Sequence, residues 1–170
     1  FSTDGSVDWL TRYADEQPSF INYHFSFASE ADSGMYDAVN RGWKRGAVNV
    51  DVLAYLNCDE QHLPFALKRV SVWFIEHPDV DVLFGDVIIA DANGNYVCSR
   101  KMVRPTEGLI WTDHLPLFTA SMFIRKSALE KYNLYPDKTW KNIGDVELVL
   151  RTMKQGVRIG ILNEYLATFT

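Results

Sequence analysis

Two adjacent carboxylates, Asp59 and Glu60, follow an apolar run in the segment LAYLNCDEQ. At a separation of about 4 Å, two like charges repel by roughly 4 kcal/mol at an effective dielectric constant of 20. A hard divalent cation with oxygen ligands would relieve that repulsion. The segment therefore predicts either a cation site or an acidic loop that caps the helix expected to begin at Pro64.

A further carboxylate, Asp145, stands near the start of the segment GDVELVLRTMKQG. Its place at the beginning of a predicted helix suits an N-cap, where a side-chain oxygen accepts a backbone N–H bond worth about 1 kcal/mol. A carboxylate at a helix start beside a pocket could equally act as a general base. Asp86, at the end of the apolar run VDVLFGD, leaves the same two roles open.

Aromatic side chains cluster in a stretch without clear periodicity. Trp111 and Trp140 lie there, together with His114. Tryptophan rings could form a platform for a sugar, although core packing is the commoner role of this side chain. We interpret His114 as a structural histidine. The region leaves both roles of the tryptophans open.

Several reaction classes lack the residues that they need. The sequence contains no GxGxxG, GxxxxGK[ST] or GxSxG motif, which argues against dinucleotide oxidation, P-loop phosphoryl transfer and α/β-hydrolase chemistry. The four histidines have no HxxxH-type spacing, so a zinc site is not predicted. Neither Cys58 nor Cys98 has a histidine at motif spacing, and two free thiols in a reducing compartment are expected.

The composition is that of an ordinary folded domain. Of the 170 residues, 47% are hydrophobic and 23% are charged, which is typical of globular proteins. The net charge of −5 gives no electrostatic reason to expect nucleic acid as a partner. No apolar run reaches the roughly 18 residues that a membrane-spanning helix needs.

Strands and helices alternate along the elements that must position these side chains. Helices are predicted over STDGSVDWLTRYADE, MYDAVNRGWKRG, FALKRVSVWFIEH, SALEKYN and GDVELVLRTMKQG. Strands are predicted over SFINYHFSFA, VDVLAYLN, DVDVLFGDVIIA, YVCSR and VRIGILN. The alternation predicts an α/β sheet covered by helices, with ligands at the carboxyl ends of its strands.

The helix over MYDAVNRGWKRG carries two further predictions. Gly42 and Gly46 share a face with Trp43, which predicts close packing of the helix on the sheet. Asp37 and Arg41 are four residues apart, which predicts an ion pair on the helix surface.

Three motifs in order resemble the family 2 glycosyltransferases of the GT-A fold, with the closest resemblance to bacterial members. Residues 29–42 match S-E-x-D-x-G-x-Y-D-A-x-N-x-G, LNCDE stands for L-N-x-D-D, and LFGD stands for Y-G-D. GDVELVLR takes the place of the family's acidic-Asp-x-E-L-x-L-R helix. The resemblance implies one GT-A domain with a mixed sheet over residues 1–170. The opening FSTDGS and the closing YLATFT lead us to expect a fragment, incomplete at both ends and without the family's first β-α-β portion.

The resemblance also implies an activity and a set of site residues. The family transfers a sugar from a nucleoside-diphosphate sugar to an acceptor hydroxyl, with inversion at the anomeric carbon. Asp59 matches the carboxylate that holds Mg²⁺ or Mn²⁺ on the diphosphate, and Asn57 lies near the ribose. Asp32 and Gly34 border the donor pocket, and Asp145 matches the catalytic base.

A biological setting follows from the same resemblance. It implies synthesis of a cell-surface polysaccharide or exopolysaccharide, with a glycan or a lipid-linked molecule as the acceptor. A cytoplasmic location is expected, and peripheral association with the inner face of the membrane is compatible with it.

Two positions depart from the family's pattern. Glu60 stands where Asp is usual, and Gly144 stands where an acidic residue often precedes the base. Neither removes a residue that the mechanism needs, but both leave open a non-catalytic GT-A-like module that binds a nucleotide or a glycan. A nucleotidyltransferase with a similar sheet is a third alternative, although the Gly-, Arg- and Lys-rich loop of that class is absent from this sequence.

Overall fold

The computed structural model describes residues 2–16, 24–112 and 115–170. The chain divides into two compact units, Phe1–Ser33 and Gly34–Thr170, and each is described by itself. None of the helices within the described ranges is both long enough and apolar enough to cross a membrane.

The first unit contains helix α1 (Ser6–Glu16), as the sequence predicts. The Asp4 carboxylate accepts the Ser6 N–H at 3.0 Å and so satisfies a donor at the start of the helix. Tyr13 stacks on Trp9 with ring centroids 5.2 Å apart. The strand predicted over residues 19–28 is not found in its described part, residues 24–28, and the remainder lies outside the described residues.

The second unit is built on a mixed sheet. Its strands are β1 (Val52–Leu53), β2 (Gln61–His62), β3 (Val82–Ala90), β4 (Tyr96–Arg100), β5 (Met122–Arg125) and β6 (Ile159–Phe169). The order is β1-β5-β3-β6-β2, and β4 pairs with the outer part of β3. β3 and β6 are parallel, whereas the other pairs are antiparallel. The predicted mixed α/β architecture is therefore confirmed.

Helices cover both faces of this sheet. They are α2 (Met35–Gly46), α3 (Ala66–Glu76), α4 (Glu107–Thr112), α5 (Lys126–Lys131) and α6 (Gly144–Lys154), with a 3₁₀ turn at Thr119–Ser121. Alternate residues of β3 point to opposite faces, so Phe84 packs in the core shared with α2, α5 and α6, while Leu83 packs with α3. The sheet thus separates two apolar cores.

The predicted close packing through Gly42 and Gly46 is wrong. A Cβ atom built on either glycine would meet no atom of the described residues within 4 Å. Helix α2 is instead anchored by the buried side chains of Tyr36 and Trp43. The predicted ion pair is present at 2.9 Å, but Asp37 is buried and Arg41 is partly exposed. Large aromatic side chains, rather than small residues, set the contact of α2 with the core.

Gly160 on β6 is one of the glycines whose replacement we expect to be costly. A Cβ there would lie 2.3 Å from Cη2 of Trp73, in contact with the indole that covers the strand. Gly160→Ala should therefore destabilise the fold by about 1–3 kcal/mol through overpacking. Urea unfolding measures the effect. The control is Gly42→Ala, which we expect to be neutral or stabilising by up to about 1 kcal/mol because it replaces glycine within an open helical site. Equal stability of the Gly160→Ala variant and the parent would contradict this account of the close contact.

Candidate functional site

The loop that follows β1 separates the two neighbouring carboxylates into different environments. Glu60 is buried, at 5% exposure, whereas Asp59 is exposed. The Glu60 carboxylate accepts the Asn57 backbone N–H at 2.8 Å and the Asn57 Nδ2–H at 2.9 Å. These two donors compensate for the burial of the charge. Glu60 therefore holds the loop and the Asn57 side chain in place, and Asp59 alone faces outward.

The bonds between Glu60 and Asn57 are open to a direct test. Glu60→Gln presents an amide NH₂ to one of the two Asn57 donors, so one hydrogen bond is lost and two donors confront each other. We expect a loss of about 1–3 kcal/mol in the free energy of unfolding. Chemical denaturation measures this loss, and the exposed Glu130→Gln change should stay within about 0.5 kcal/mol of the parent. Equal stability of the two variants would show that the Glu60 charge is not needed in the loop.

Asp145 lies in the first turn of α6 but does not occupy the N-cap. The N-cap is Ile143, and Asp145 is the second residue after it, so the predicted capping role is wrong. Its Oδ1 atom accepts the neighbouring Val146 N–H at 2.9 Å. Its own backbone N–H donates to the Tyr36 hydroxyl at 3.1 Å. The carboxylate thus lies at the positive end of a helix dipole, on an element fixed by a buried tyrosine of α2.

Tyr55 lies between the end of β1 and the Asn57–Glu60 loop, and its phenol is largely buried. Burial, above all, raises the pKa of its phenol to about 12, and the charges of Asp145 and Glu60 add to that increase. A hydrogen bond with Thr119 acts in the opposite direction. Helix α2 contacts both parts of the second unit, since its Tyr36 hydroxyl accepts the Asp145 N–H at 3.1 Å and its Trp43 ring packs against Tyr55.

Helix α2 also packs against the segment that leads from β1 to the Asn57–Glu60 loop. The Trp43 indole N–H donates to the Ala54 carbonyl at 2.9 Å, and its ring packs edge-on against Tyr55 at 5.9 Å between centroids. The Asn40 side chain donates to the Pro136 carbonyl at 2.8 Å. Sequence reasoning did not identify Tyr36 or Tyr55 as parts of the site. The signal was present, since Tyr36 belongs to the motif over residues 29–42 and Tyr55 stands two residues before Asn57.

The division of the chain into two units falls after Ser33, so Asp32 belongs to the first unit and Gly34 to the second. Gly34, at the N-cap of α2, has φ 126°, a backbone conformation that favours glycine. Its carbonyl accepts the Asp37 and Ala38 N–H groups at 3.0 and 3.1 Å and so begins the helix. Asp32 is exposed in the irregular end of the first unit. A role for either residue in donor binding stays a prediction.

Asp86 has a structural environment. The strand predicted over DVDVLFGDVIIA is present and continues past this residue to Ala90, so Asp86 lies within the strand and not at its end. The Asp86 side chain is fully buried, pairs with the Lys101 ammonium at 2.6 Å and accepts the Met102 N–H at 2.8 Å. Its carboxylate therefore fixes the chain that leaves β4, and of the two roles left open the structure supports the structural one.

The two tryptophans of the irregular region are exposed rather than packed in the core. Trp111 is 69% exposed and Trp140 is 41% exposed. Trp140 follows a turn in which the Asp137 carboxylate accepts the N–H and the hydroxyl of Thr139 at 2.9 and 2.8 Å. His114 lies outside the described residues. Core packing, the commoner role, does not account for these rings.

A cavity of about 1050 Å³ lies beside the edge strand β1 and helix α3, away from these residues. Its wall includes Leu53, Val70, Phe74 and Arg125, but none of Asn57, Asp59 and Asp145. Among the described strands, β1 pairs only with β5, and the residues of β1 line this cavity. The candidate site therefore rests on the arrangement of the side chains and not on this cavity.

The carboxylates of the described residues do not form an all-protein metal cage. No cluster of three or more His, Cys, Asp or Glu side chains suited to a metal occurs among them. One exposed carboxylate, Asp59, remains beside the buried Glu60. Mg²⁺ in particular is often bound by one or two carboxylates together with substrate phosphates. The residues present fit a cation of that kind.

Comparison with solved structures identifies the same fold in a second protein. A structure of S. aureus TarS, residues 1–349, matches with a TM-score of 0.69 at 18% identity, covering 100% of this chain and 49% of that one. The TarS structure in complex with UDP matches with a TM-score of 0.66 at 18% identity, covering 99% and 48% of the two chains. The chain thus spans about half the length of these structures, and the fold expected from the resemblance to glycosyltransferases is confirmed. No protein-family model and no curated protein matches the chain.

Proposed function

We propose that the chain is the catalytic portion of an inverting glycosyltransferase that moves a sugar from a nucleoside-diphosphate sugar to an acceptor hydroxyl. The observation that carries the proposal is that one helix, α2, contacts both Asp145, through the Tyr36 hydroxyl, and the segment before the Asn57–Glu60 loop, through the packing of Trp43 on Tyr55. The fold shared with TarS supports it, and the UDP complex of TarS favours a uridine nucleotide as the donor. Assignment to family 2 rests on the sequence motifs.

Asp145 is the base in this proposal. Its carboxylate takes the proton of the acceptor hydroxyl as the acceptor oxygen bonds to the anomeric carbon, while the bond from that carbon to the diphosphate breaks on the opposite side. The sugar is transferred with inversion, and the nucleoside diphosphate leaves with the bonding electrons. The place of Asp145 on a fixed helix start suits this role, because a positioned base lowers the entropic cost of the reaction.

The loop after β1 would bind the donor. Since the Asn57 Nδ2 is bound to Glu60, its amide oxygen is the group that would accept a hydrogen bond from a ribose hydroxyl. Asp59 would hold Mg²⁺ or Mn²⁺ next to the diphosphate. Such a cation, when bound, stabilises the negative charge of the departing diphosphate. Gly34 is proposed to line the nucleotide side of the pocket, and a role of Asp32 in donor binding is proposed from the resemblance alone.

The acceptor is proposed to be a glycan or a lipid-linked molecule of a cell-surface polysaccharide. The exposed rings of Trp111 and Trp140 are compatible with a sugar-binding platform. A cytoplasmic location, with peripheral association with the membrane, follows from the same proposal.

The proposal is tested by release of nucleoside diphosphate from a panel of nucleotide sugars, with Mg²⁺ or Mn²⁺ and a set of glycan acceptors. Turnover of a UDP-sugar with a β-linked product from an α-linked donor is the expected result. Calorimetry with UDP separates the alternative, because tight binding without turnover on any acceptor would indicate a non-catalytic binding module. Release of pyrophosphate from a nucleoside triphosphate would instead indicate a nucleotidyltransferase.

A further inference from the structure

The ring of Tyr36 lies directly against the backbone of Gly144. A Cβ atom built on Gly144 would come within 2.4 Å of Cε2 and 2.6 Å of Cζ of that ring. Tyr36 itself is 4% exposed, so the ring has no free side toward which it could retreat without disturbing the core. Glycine at position 144, a departure from the pattern of the resembling family, is therefore what allows the phenol to reach the start of α6.

The Tyr36 hydroxyl takes the place of a missing helix cap. The first N–H groups of a helix have no partner within the helix, and Ile143 offers no side-chain acceptor to them. The Tyr36 oxygen accepts the Asp145 N–H at 3.1 Å from an element more than a hundred residues away in the sequence. The bond fixes the backbone of the residue whose carboxylate would do the chemistry.

The hydroxyl stays neutral under ordinary conditions. Burial first, and then the charge of Asp145, raise the pKa of Tyr36 above its usual value, while the backbone N–H groups of Asp145 and Gly144 pull it down. A neutral hydroxyl accepts the hydrogen bond from the Asp145 backbone N–H without placing a second negative charge beside the Asp145 carboxylate.

We propose that Tyr36 is the positioning residue of Asp145. The phenol fixes the first turn of α6 through one hydrogen bond and through its contact with Gly144, so that the carboxylate is directed at the acceptor hydroxyl. The inference rests on the proposed function, in which Asp145 is the base. It assigns a purpose to Gly144 and to the tyrosine of the motif over residues 29–42, neither of which contacts a substrate in the proposed mechanism.

Helix α2, which carries Tyr36, is itself held in place by hydrogen bonds to two other segments of the chain. Trp43, two turns further along α2, is bonded to the Ala54 carbonyl, and Asn40 is bonded to the Pro136 carbonyl. One helix therefore contacts both the strand that leads to the donor loop and the start of α6. Tyr36 at its first turn transmits that fixed position to Asp145.

The test is Tyr36→Phe in the intact protein, which keeps the ring against Gly144 and removes only the oxygen. We expect kcat to fall by about 10- to 100-fold, because small displacements of a reacting group have effects of that size. The donor KM should stay within about twofold, since the hydroxyl acts on the base and not on the donor. Hydrogen exchange of the Asp145 amide should accelerate by about tenfold when its acceptor is lost. Tyr132→Phe removes the same oxygen from a half-buried tyrosine outside the site and should change none of these values.

Gly144→Ala approaches the same contact from the other side. The added methyl group collides with the ring, and kcat should fall as in Tyr36→Phe. An unchanged kcat in Tyr36→Phe, or a loss confined to KM or to the folded fraction, would overturn the proposal. Asp145→Asn separates failure of the positioning role of Tyr36 from failure of Asp145 as the base. If that variant is inactive while Tyr36→Phe is fully active, only the positioning role fails. If Asp145→Asn is fully active, the assigned base fails, and the positioning role fails with it.

Discussion

Asp145→Asn should lower kcat by about 10²- to 10⁴-fold, the range in which general bases contribute. Asparagine has nearly the same size, and its amide oxygen can still accept the Val146 N–H that Asp145 Oδ1 accepts at 2.9 Å. The backbone bond to the Tyr36 hydroxyl does not depend on the side chain. The first turn of α6 should therefore keep its conformation, and only the basic oxygen should be lost. Steady-state release of nucleoside diphosphate measures kcat, and calorimetry with UDP should give an affinity close to that of the parent.

Glu147→Gln is the matched control for this experiment. Glu147 lies in the same first turn of α6, where its carboxylate is paired with Arg151 at 2.7 Å. Loss of that pair should cost about 0.3–0.5 kcal/mol of stability and leave kcat within about twofold of the parent. An Asp145→Asn variant with more than half of the parent's kcat would mean that another group accepts the proton. Equal losses in both variants would instead assign the effect to the helix end as a whole.

The helices that carry the site were readable from the sequence because their signals are local. In α6, an acidic first turn, basic residues late in the helix and Gly156 with φ 70° after its end mark the element within one segment. Strands depend on partners that are distant in the sequence. The run VDVLAYLN was predicted as one strand, yet only Val52–Leu53 pairs with β5, and the short β2 at Gln61–His62 exists because it pairs with the end of β6.

The candidate residues were found by type and order, but their environments were not. Asp59 and Glu60 do not share one environment, because the Glu60 carboxylate turns inward to Asn57, three residues before it, while Asp59 is exposed. Periodicity gave no indication of that bond. Likewise, the order of residues along the chain does not predict that the Tyr36 ring packs in the space that Gly144 leaves free. Each of these contacts joins side chains whose approach is set by tertiary packing, and sequence patterns describe only neighbours along one element.

Glu60 illustrates how a departure from a motif can have a structural reason. An aspartate in its place is one methylene shorter and would have to accept both the backbone N–H and the Nδ2–H of Asn57 with less reach. The longer side chain orients Asn57 while its charge is withdrawn from the surface. The two positions of the acidic pair thereby differ in function. Glu60 organises the loop, and Asp59 remains as the outward carboxylate.

Asp59→Asn is consequently expected to affect ligand binding without affecting the fold. Asp59 is exposed, so the free energy of unfolding should change by no more than about 0.5 kcal/mol. If Asp59 holds the cation next to the diphosphate, its loss should reduce transfer activity by more than about 100-fold, because even residues that only orient metal ligands contribute 10- to 100-fold. UDP titrations with and without Mn²⁺ or Mg²⁺ measure how much the cation increases the affinity for the nucleotide. The parent should bind UDP more tightly when the cation is present, and this difference should disappear in the variant.

Glu76→Gln provides the comparison, since it removes an exposed carboxylate at the end of α3 and alters the net charge by the same amount. It should retain the cation-dependent gain in UDP affinity, which excludes a general effect of surface charge. A cation-dependent gain that persists in Asp59→Asn would place the cation on other ligands. Tight UDP binding by the parent that is indifferent to the cation would contradict metal dependence itself. In that case the charge of the leaving diphosphate would have to be stabilised by hydrogen-bond donors or cationic side chains, and Asp59, as an unneutralised anion beside it, would oppose the reaction.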